Sequence, residues 1–449
     1  MTEDALLAEI IEHSDDDGPR LVYADKLVEA GDPRGEFIQI QCAIAAGNRD
    51  VSLLRREQAL LARYGARWIK ELKPGVVSGT FCRGFLQDLH VKPRKFFRHA
   101  NSILTRTPVT GLCVFGLAQK RVASLVDLPQ LSSLRRLMVA ECRIGANGLS
   151  TMLASPVLAG VTDLSLRDIN LDTLEPLHHW HKLTGLKRLS IAQNPLPTPT
   201  LLFLARGGRA ISLDHLDMGN SAYIGDLLQI VYGLPSLSSV TFGANHPADS
   251  TMSRLVTSPL GNVRHLYLTF PGCQGQFVGM MGWAPWDLHS LVMPLNQRTV
   301  SVEDAQRLAQ GDWKEFTKLH LDYAGLNGDS IAALTESNWP LADLHLWANQ
   351  VEADGVRAIG GRWSKSLETL NLSFNPIKDA GVKAMADFDW PRLHALKLRN
   401  SGLTNGGIDH LVWAVKRMPA LVVLDISHNQ VDKGPTKPLL DILGPGLKR

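Results

Sequence analysis

The segment Leu367-Glu-Thr-Leu-Asn-Leu-Ser-Phe-Asn-Pro-Ile377 contains the pattern that decides the fold. Apolar residues occupy its first, fourth, sixth and eleventh places, and Asn375 occupies the ninth. The same frame returns at intervals of 23 to 28 residues, which predicts a stack of repeated units instead of ordinary globular domains. Frames begin at Leu86, Val109, Leu134, Val161, Leu186, Leu213, Leu237, Val263, Leu288, Phe316, Leu341, Leu367, Leu393 and Leu421.

Each frame predicts one short strand, because apolar and polar residues alternate through its centre. Successive strands of this kind stack in parallel, roughly 4.8 Å apart. A buried amide at the ninth place can bond backbone groups of neighbouring turns that would otherwise have no partner. The ninth place holds asparagine or cysteine, with serine as a weaker substitute, at Cys142, Asn194, Ser221, Asn245, Asn296, Asn349, Asn375, Ser401 and Asn429.

The pattern L-x-x-L-x-L-x-x-N/C-x-L resembles the leucine-rich repeat family over nearly all of residues 86–431. The linking segments repeat an apolar i, i+3 pair, such as Val356 and Ile359, which is typical of short helices. The resemblance implies an α/β solenoid over residues 73–431, with about fourteen repeats similar to the ribonuclease-inhibitor type. It also implies a horseshoe, with parallel strands on the concave face and helices on the convex face.

Tryptophans recur near the ends of the expected helices. Their regular spacing favours packing in the core over a ladder that binds carbohydrate or peptide. The series comprises Trp313, Trp339, Trp363, Trp390 and Trp413.

Residues 1–72 lack the repeat and predict a small helical domain. Asp32-Pro33 provides a helix cap followed by proline at the first helical position. The runs Asp16-Asp-Gly-Pro-Arg-Leu-Val-Tyr-Ala-Asp25 and Gly31-Asp-Pro-Arg-Gly-Glu-Phe-Ile38 resemble a bacterial repeat-companion domain, although Lys26 replaces the tryptophan usual in that family. That family typically precedes repeats, so the resemblance implies repeat context and no chemistry.

The ends of an open solenoid need covers, because unpaired edge strands invite association. We expect residues 1–72 to form an N-terminal cap. Residues 432–449 are rich in proline and glycine, so we expect them to form a C-terminal cap that resists further strand pairing.

Composition limits the class of protein. A chain of 449 residues with 45% hydrophobic and 20% charged residues is an ordered protein, and its net charge of +3 favours no nucleic acid or membrane partner. Met1-Thr-Glu-Asp lacks a secretory signal, and no apolar run approaches the roughly 18–20 residues of a membrane span. Scattered cysteines without a C-x-x-C motif favour reduced thiols and a cytoplasmic location. They are Cys42, Cys82, Cys113, Cys142 and Cys273.

The chain contains none of the motifs G-x-x-x-x-G-K-S/T, G-x-G-x-x-G, H-E-x-x-H or G-x-S-x-G. We therefore expect no enzyme activity and no cofactor. Glu175, His178 and His181 stand at helical spacing, but an exposed polar helix face explains them without a metal ion. We expect no metal site.

Places five and seven of each frame face away from the core, towards the concave face. Trp347 beside His345, with Tyr267 and Arg399, has the composition of a protein-binding hot spot. Free variation of concave residues is the competing explanation. The hypothesis is a non-enzymatic scaffold that binds a protein partner through Tyr267, His320, Asp322, His345, Trp347, Asn371, Lys397, Arg399 and Asp425.

Residues 73–121 support an alternative, because they carry nine basic residues and the single acid Asp88. Cations mixed with aromatic residues are typical of surfaces that bind nucleic acids or anionic partners. A solvated face with Phe96 and Phe97 buried is the competing explanation. The candidate basic residues are Lys92, Arg94, Lys95 and Arg98.

Overall fold

The computed structural model describes residues 2–178, 180, 185–206, 212–219, 224–243, 249–269, 275–296 and 299–449. The chain divides into two compact units, Met1–Ser221 and Ala222–Arg449. Both units are stacks of strands and helices in alternation, and each buries the apolar places of the frame between its sheet and its helices.

The first unit begins with helices joined by tight turns. The Asp32 carboxylate accepts a hydrogen bond of 2.8 Å from the Arg34 backbone N–H, as predicted for the cap. Gly31 has a φ of +73°, a conformation that glycine adopts without strain. These helices are α1 (Glu3–Glu12), α2 (Gly18–Glu29), α3 (Pro33–Ala45), α4 (Val51–Leu60) and α5 (Ala66–Lys70), with a π-helical turn at Leu61–Gly65.

The remaining elements of the first unit form its repeat stack. Strand β1 (Val76–Cys82) pairs antiparallel with β2 (Phe85–Val91), and the later strands pair in parallel. Sequence analysis did not predict β1, which covers the edge of β2. The elements that follow are α6 (Pro93–Leu104), β3 (Gly111–Phe115), α7 (Val122–Val126), β4 (Arg136–Ala140), α8 (Gly145–Leu153), β5 (Asp163–Arg167), α9 (Glu175–His178), β6 (Arg188–Ser190), α10 (Thr198–Arg206) and β7 (His215–Asp217).

Helices α1–α5 pack on the β1–β2 hairpin through two apolar clusters. Phe85 of β2 joins the cluster that contains Leu6 and Ile10 of α1. Phe81 of β1 packs against the cluster that contains Phe37 and Trp68. The helical region therefore packs on the start of the repeat stack.

The motif of the helical region has structural roles. The Arg20 guanidinium is fully buried and donates hydrogen bonds of 2.6 and 2.7 Å to the carbonyl oxygens of Asp16 and Ser14. At Gly35, a methyl group would lie 2.5 Å from the carbonyl oxygen of Ala24, so helices α2 and α3 approach closely only because Gly35 lacks a side chain. The motif therefore holds the segment Ser14–Asp16 against α2, and α2 against α3.

In the second unit, strands β8–β16 form a parallel ladder in sequence order. A helix connects each strand to the next as far as β16. The elements are α11 (Ile224–Gly233), β8 (Ser239–Gly243), α12 (Asp249–Thr257), β9 (His265–Thr269), α13 (Gly275–Met280), β10 (Ser290–Val292), α14 (Val302–Ala309), β11 (Lys318–His320), α15 (Gly328–Leu334), β12 (Asp343–His345), α16 (Ala353–Trp363), β13 (Thr369–Asn371), α17 (Lys378–Met385), β14 (Ala395–Lys397), α18 (Ile408–Lys416), β15 (Val423–Asp425), α19 (Lys437–Leu443) and β16 (Leu447–Lys448).

Strand β16 corrects one expectation about the C-terminal segment. Residues 432–449 were expected to resist strand pairing, yet Leu447 and Lys448 pair in parallel with Leu424 and Asp425 of β15. Prolines end before this strand, so its backbone N–H groups are free to join the ladder.

Buried amides at the ninth place connect neighbouring repeats, as predicted. Asn349 donates to the carbonyl oxygen of Leu321 at 2.9 Å, and its own oxygen accepts from the N–H groups of Ala324 and Leu326. Ser401 is fully buried and donates to the carbonyl oxygen of Leu372. Asn296 differs, because it is exposed and has a φ of +50°. The amide contacts recur at Asn194, Asn375 and Asn429, whereas Asn245 and Ser221 lie outside the described residues.

The tryptophan series packs in the core with one exception. Trp313 and Trp339 stack with ring centroids 5.5 Å apart, and the Trp339 indole N–H donates to the Gly311 carbonyl. Trp363 and Trp390 are buried as well. The prediction is wrong for Trp413, which is 57% exposed on α18. Trp339 stacks on Trp313 of the preceding repeat, whereas no such stacking partner for Trp413 is found among the described rings.

The eighth place of the frame is left-handed in most repeats. A positive φ bends the chain away from the sheet directly after the strand, and most side chains avoid it. Two large aromatic residues, Tyr323 and Phe374, occupy such positions. Left-handed eighth places are Glu141, Asp168, Gln193, Tyr323, Ala348, Phe374, Asn400 and His428.

Candidate partner-binding surface

The predicted partner-binding residues lie on one face of the sheet in the second unit. We call this face, which carries the outward side chains of strands β9–β15, the open face. Parallel register makes the fifth places neighbours along the ladder, and their side chains are half-buried. These residues are Tyr267, His320, His345, Asn371, Lys397 and Asp425. Asp322, Trp347 and Arg399 follow two residues after the ends of their strands.

An aromatic row crosses the ends of strands β11–β13. The Trp347 ring makes an edge contact with Tyr323 at a centroid distance of 4.5 Å and another with Phe374 at 5.4 Å. Phe374 is 38% exposed, while Tyr323 and Trp347 are half-buried. The repeat pattern indicates Trp347 but not its two neighbours, because only the fifth and seventh places of the frame are predicted to face outward. The left-handed eighth place brings them to the same surface.

Cationic and acidic groups flank the aromatic row. The Arg399 guanidinium lies 5.9 Å from the centroid of the Phe374 ring and 2.9 Å from Nε2 of His428. On the other side, Asp322 accepts a hydrogen bond of 2.8 Å from the Trp347 backbone N–H. Burial raises the pKa of Asp322 against the opposing effects of that hydrogen bond and of His320. The row therefore has rings in contact with one another, with an exposed guanidinium at one end and a half-buried carboxylate at the other.

A second cluster on the open face joins two histidines to an aspartate. His320 and His345 stack with ring centroids 3.8 Å apart and planes 4° from parallel. Each Nε2 atom lies 3.2 Å from a different oxygen of Asp343, and Lys318 Nζ lies 3.2 Å from one of those oxygens. Sequence analysis named both histidines but not Asp343. Aligning third and fifth places of adjacent frames could have revealed the set.

The charge states in this cluster follow from its surroundings. Burial lowers the pKa of His345 to about 4, helped by His320, Lys397 and Lys318 against the opposing effect of Asp343. Burial alone would raise the pKa of Asp343, but His320, His345 and Lys318 outweigh it and lower that pKa to about 2. At neutral pH the cluster therefore contains a carboxylate and a neutral His345 imidazole.

The alternative basic residues lie in the first unit, at and within helix α6. Lys92, Arg94, Lys95 and Arg98 are exposed, and none lies within ion-pairing distance of an acid in the described part of the chain. Phe96 of the same helix is fully buried, whereas Phe97 is only partly covered. The helix thus packs one aromatic ring inward and presents its cations to solvent.

Other candidate groups do not assemble into a site among the described residues. Glu175 and His178 lie on α9, where the His178 ring contacts Phe203, but His181 lies outside the described residues. Burial raises the pKa of the Cys113 thiol to about 11 and likewise that of Cys142, so neither is an activated nucleophile. Cys273 lies outside the described residues.

One repeat of the chain matches a known repeat family. Residues 364–386, which include the Leu367–Ile377 frame, match the leucine-rich repeat family. The two stacks of strands and helices have a leucine-rich-repeat solenoid fold. No helix within the described ranges is both long and apolar enough to span a membrane.

Other known proteins are similar to part or most of the chain. The chain is 30% identical over 141 residues to human NACHT, LRR and PYD domains-containing protein 13. The aligned region covers 29% of the chain and 14% of that relative. Among solved structures it resembles an internalin from Listeria monocytogenes, with 16% identity, 79% and 84% of the two chains covered and a TM-score of 0.37. It also resembles a chain of the yeast Rad7 and Elc1 complex, with 13% identity, 94% of both chains covered and a TM-score of 0.47.

Proposed function

We propose that this leucine-rich-repeat protein is a non-enzymatic, cytoplasmic scaffold that binds a protein partner through the open face of its second unit. The observation that carries the proposal is the aromatic row of Tyr323, Trp347 and Phe374. The rings are held by edge contacts and remain partly accessible. Rigid aromatic side chains that a partner can cover supply most of the binding free energy at many interfaces.

The flanking groups support a protein partner. Arg399 is exposed and can form bidentate hydrogen bonds to a carboxylate. Its contact with Phe374 already restricts the side chain, so less conformational entropy is lost on binding. Arginine beside tryptophan and tyrosine is the composition that protein interfaces favour.

The test compares proteins captured from the native host by four immobilised baits. The wild-type chain and Trp413→Ala are expected to capture the same partner, since Trp413 is exposed on α18 and not on the open face. Trp347→Ala and Arg399→Ala are expected to reduce its recovery by at least about tenfold, the effect of losing a hot-spot residue. Equal recovery by all baits, with unchanged thermal melting, contradicts the proposal.

The exposed cations around α6 favour a second candidate, binding of nucleic acid or another anionic partner. Its test is retention on immobilised RNA and DNA over a salt series, because phosphate contacts weaken steeply as salt rises. Retention at low salt that is lost on replacing Lys92, Arg94, Lys95 and Arg98 by Gln supports this candidate. No retention at low salt eliminates it.

A further inference from the structure

His320, Asp343 and His345 bring three metal-binding groups together on the open face. Their donor atoms all lie within 4.8 Å of one another. Although Asp343 Oδ2 is only 3.2 Å away, the His320 Nε2 atom makes no hydrogen bond of acceptable geometry, and neither does Asp343 Oδ1. Buried polar atoms without partners are costly, and a cation between them would satisfy both.

The distances agree with a shared ion. Two ligand atoms that each lie about 2.1 Å from one ion are separated by roughly 3.0–3.4 Å in octahedral or tetrahedral geometry. The two Nε2–oxygen distances are 3.2 Å. Both Nε2 atoms lie beside the carboxylate, but each lone pair lies in its ring plane, so the rings must tilt out of their parallel stack to bind one ion together.

We propose that His320, Asp343 and His345 form a binding site for one divalent transition-metal ion, with Zn²⁺ or a similar ion as its ligand. Two imidazoles and a carboxylate are donors that such ions accept. The three side chains are half-buried at the open face. The site requires neutral imidazoles and an ionised carboxylate.

Lys318 provides an internal competitor, because its ammonium group lies 3.2 Å from Asp343 Oδ2. A bound cation would have to share that carboxylate with Lys318 or use the other oxygen, Oδ1. Removing the ammonium while keeping the length of the side chain should therefore strengthen metal binding. A purely structural role of the cluster gives no such result.

The experiment uses full-length protein without a histidine tag, stripped with chelator, and titrates ZnCl₂ calorimetrically and CoCl₂ by visible absorption. We expect one equivalent to bind, with Co²⁺ ligand-field bands. His345→Ala and Asp343→Asn should weaken binding at least about tenfold, and Lys318→Met should strengthen it. His265→Ala is the matched control, because His265 lies on the same face but contacts Ser290 and His289 instead.

Three results would overturn the proposal. One is the absence of Zn²⁺ binding by the wild-type protein above the level of the double variant His320→Ala and His345→Ala. Another is equal binding by wild type, Asp343→Asn and His345→Ala, with circular dichroism spectra that show all proteins folded. The third is loss of binding in His265→Ala as well, which would place the ion elsewhere.

Discussion

Helices α1–α5 and the repeats of strands β11–β15 bury apolar side chains of similar kinds but fix their backbones in different ways. The helical region depends on single contacts, such as the buried Arg20 guanidinium and the close approach at Gly35. The repeats use one contact many times, as the amides of Asn349 and Asn375 illustrate. The effect of a substitution on stability should therefore depend on its place in the frame in the repeats, and on its individual contacts in the helices.

The largest effect is expected where a repeat position is most buried. Trp339→Ala removes a ring that stacks on Trp313 and should lower the free energy of unfolding by about 3–5 kcal/mol. Trp413→Ala removes the same side chain from an exposed site and should change it by less than about 0.5 kcal/mol. Chemical denaturation followed by circular dichroism measures both. Similar losses in the two variants would contradict the dependence of the loss on burial.

The ninth place tests the comparison next. Asn375→Ala leaves the Leu346 carbonyl and the Val351 N–H without partners, which should cost about 2–4 kcal/mol. Asn296→Gly at the same place should cost less than about 1 kcal/mol, because Asn296 is exposed and glycine retains its left-handed φ. Urea midpoints of the two variants provide the measurement. A large loss at Asn296 would indicate an amide contact that the structure does not show.

The helical region should respond to overcrowding. Gly35→Ala places a methyl group against the Ala24 carbonyl and should destabilise α2 and α3 by about 1–3 kcal/mol. Gly361→Ala in α16 has open space around it and should stabilise the fold by about 0.5–1 kcal/mol, since alanine is the better helix former. Thermal melts of both variants suffice. Equal shifts in melting temperature would contradict the close approach of the two helices.

The smallest effect concerns acid. Burial lowers the pKa of His345 to about 4, below the pKa of a histidine in the unfolded chain. Its contribution to stability is therefore present above the unfolded-state pKa and is lost as the pH falls towards 4. In chelator, lowering the pH from 7 to 5 should cost the wild type about 1–2 kcal/mol through this residue. His345→Asn should lose less over that interval. Thermal melts of wild type and His345→Asn at the two pH values provide the measurement. The same pH dependence in both proteins would show that His345 does not titrate as its surroundings require.

Periodicity predicted much of the fold and little of the surface. Strand positions, the amide contacts of Asn349 and the burial of Trp339 all follow from the frame, because they depend on the spacing of residues along the chain. Strand β1 lies outside the period and was missed. Asp343 was missed as a partner of His320 because contact between them depends on register across two strands. Proximity of this kind is visible in sequence only when equivalent places of neighbouring repeats are compared.

The left-handed conformation of Tyr323 and Phe374 has a consequence for laboratory evolution. An L-amino acid in this conformation is disfavoured by about 1–2 kcal/mol, a penalty that glycine does not incur. A library screened for heat resistance alone should therefore enrich glycine at these two codons and lose the aromatic row without losing the fold. Screening the same library for partner capture should keep the aromatic residues. Positions at which the two selections differ would therefore be those that contribute to partner binding and not to stability.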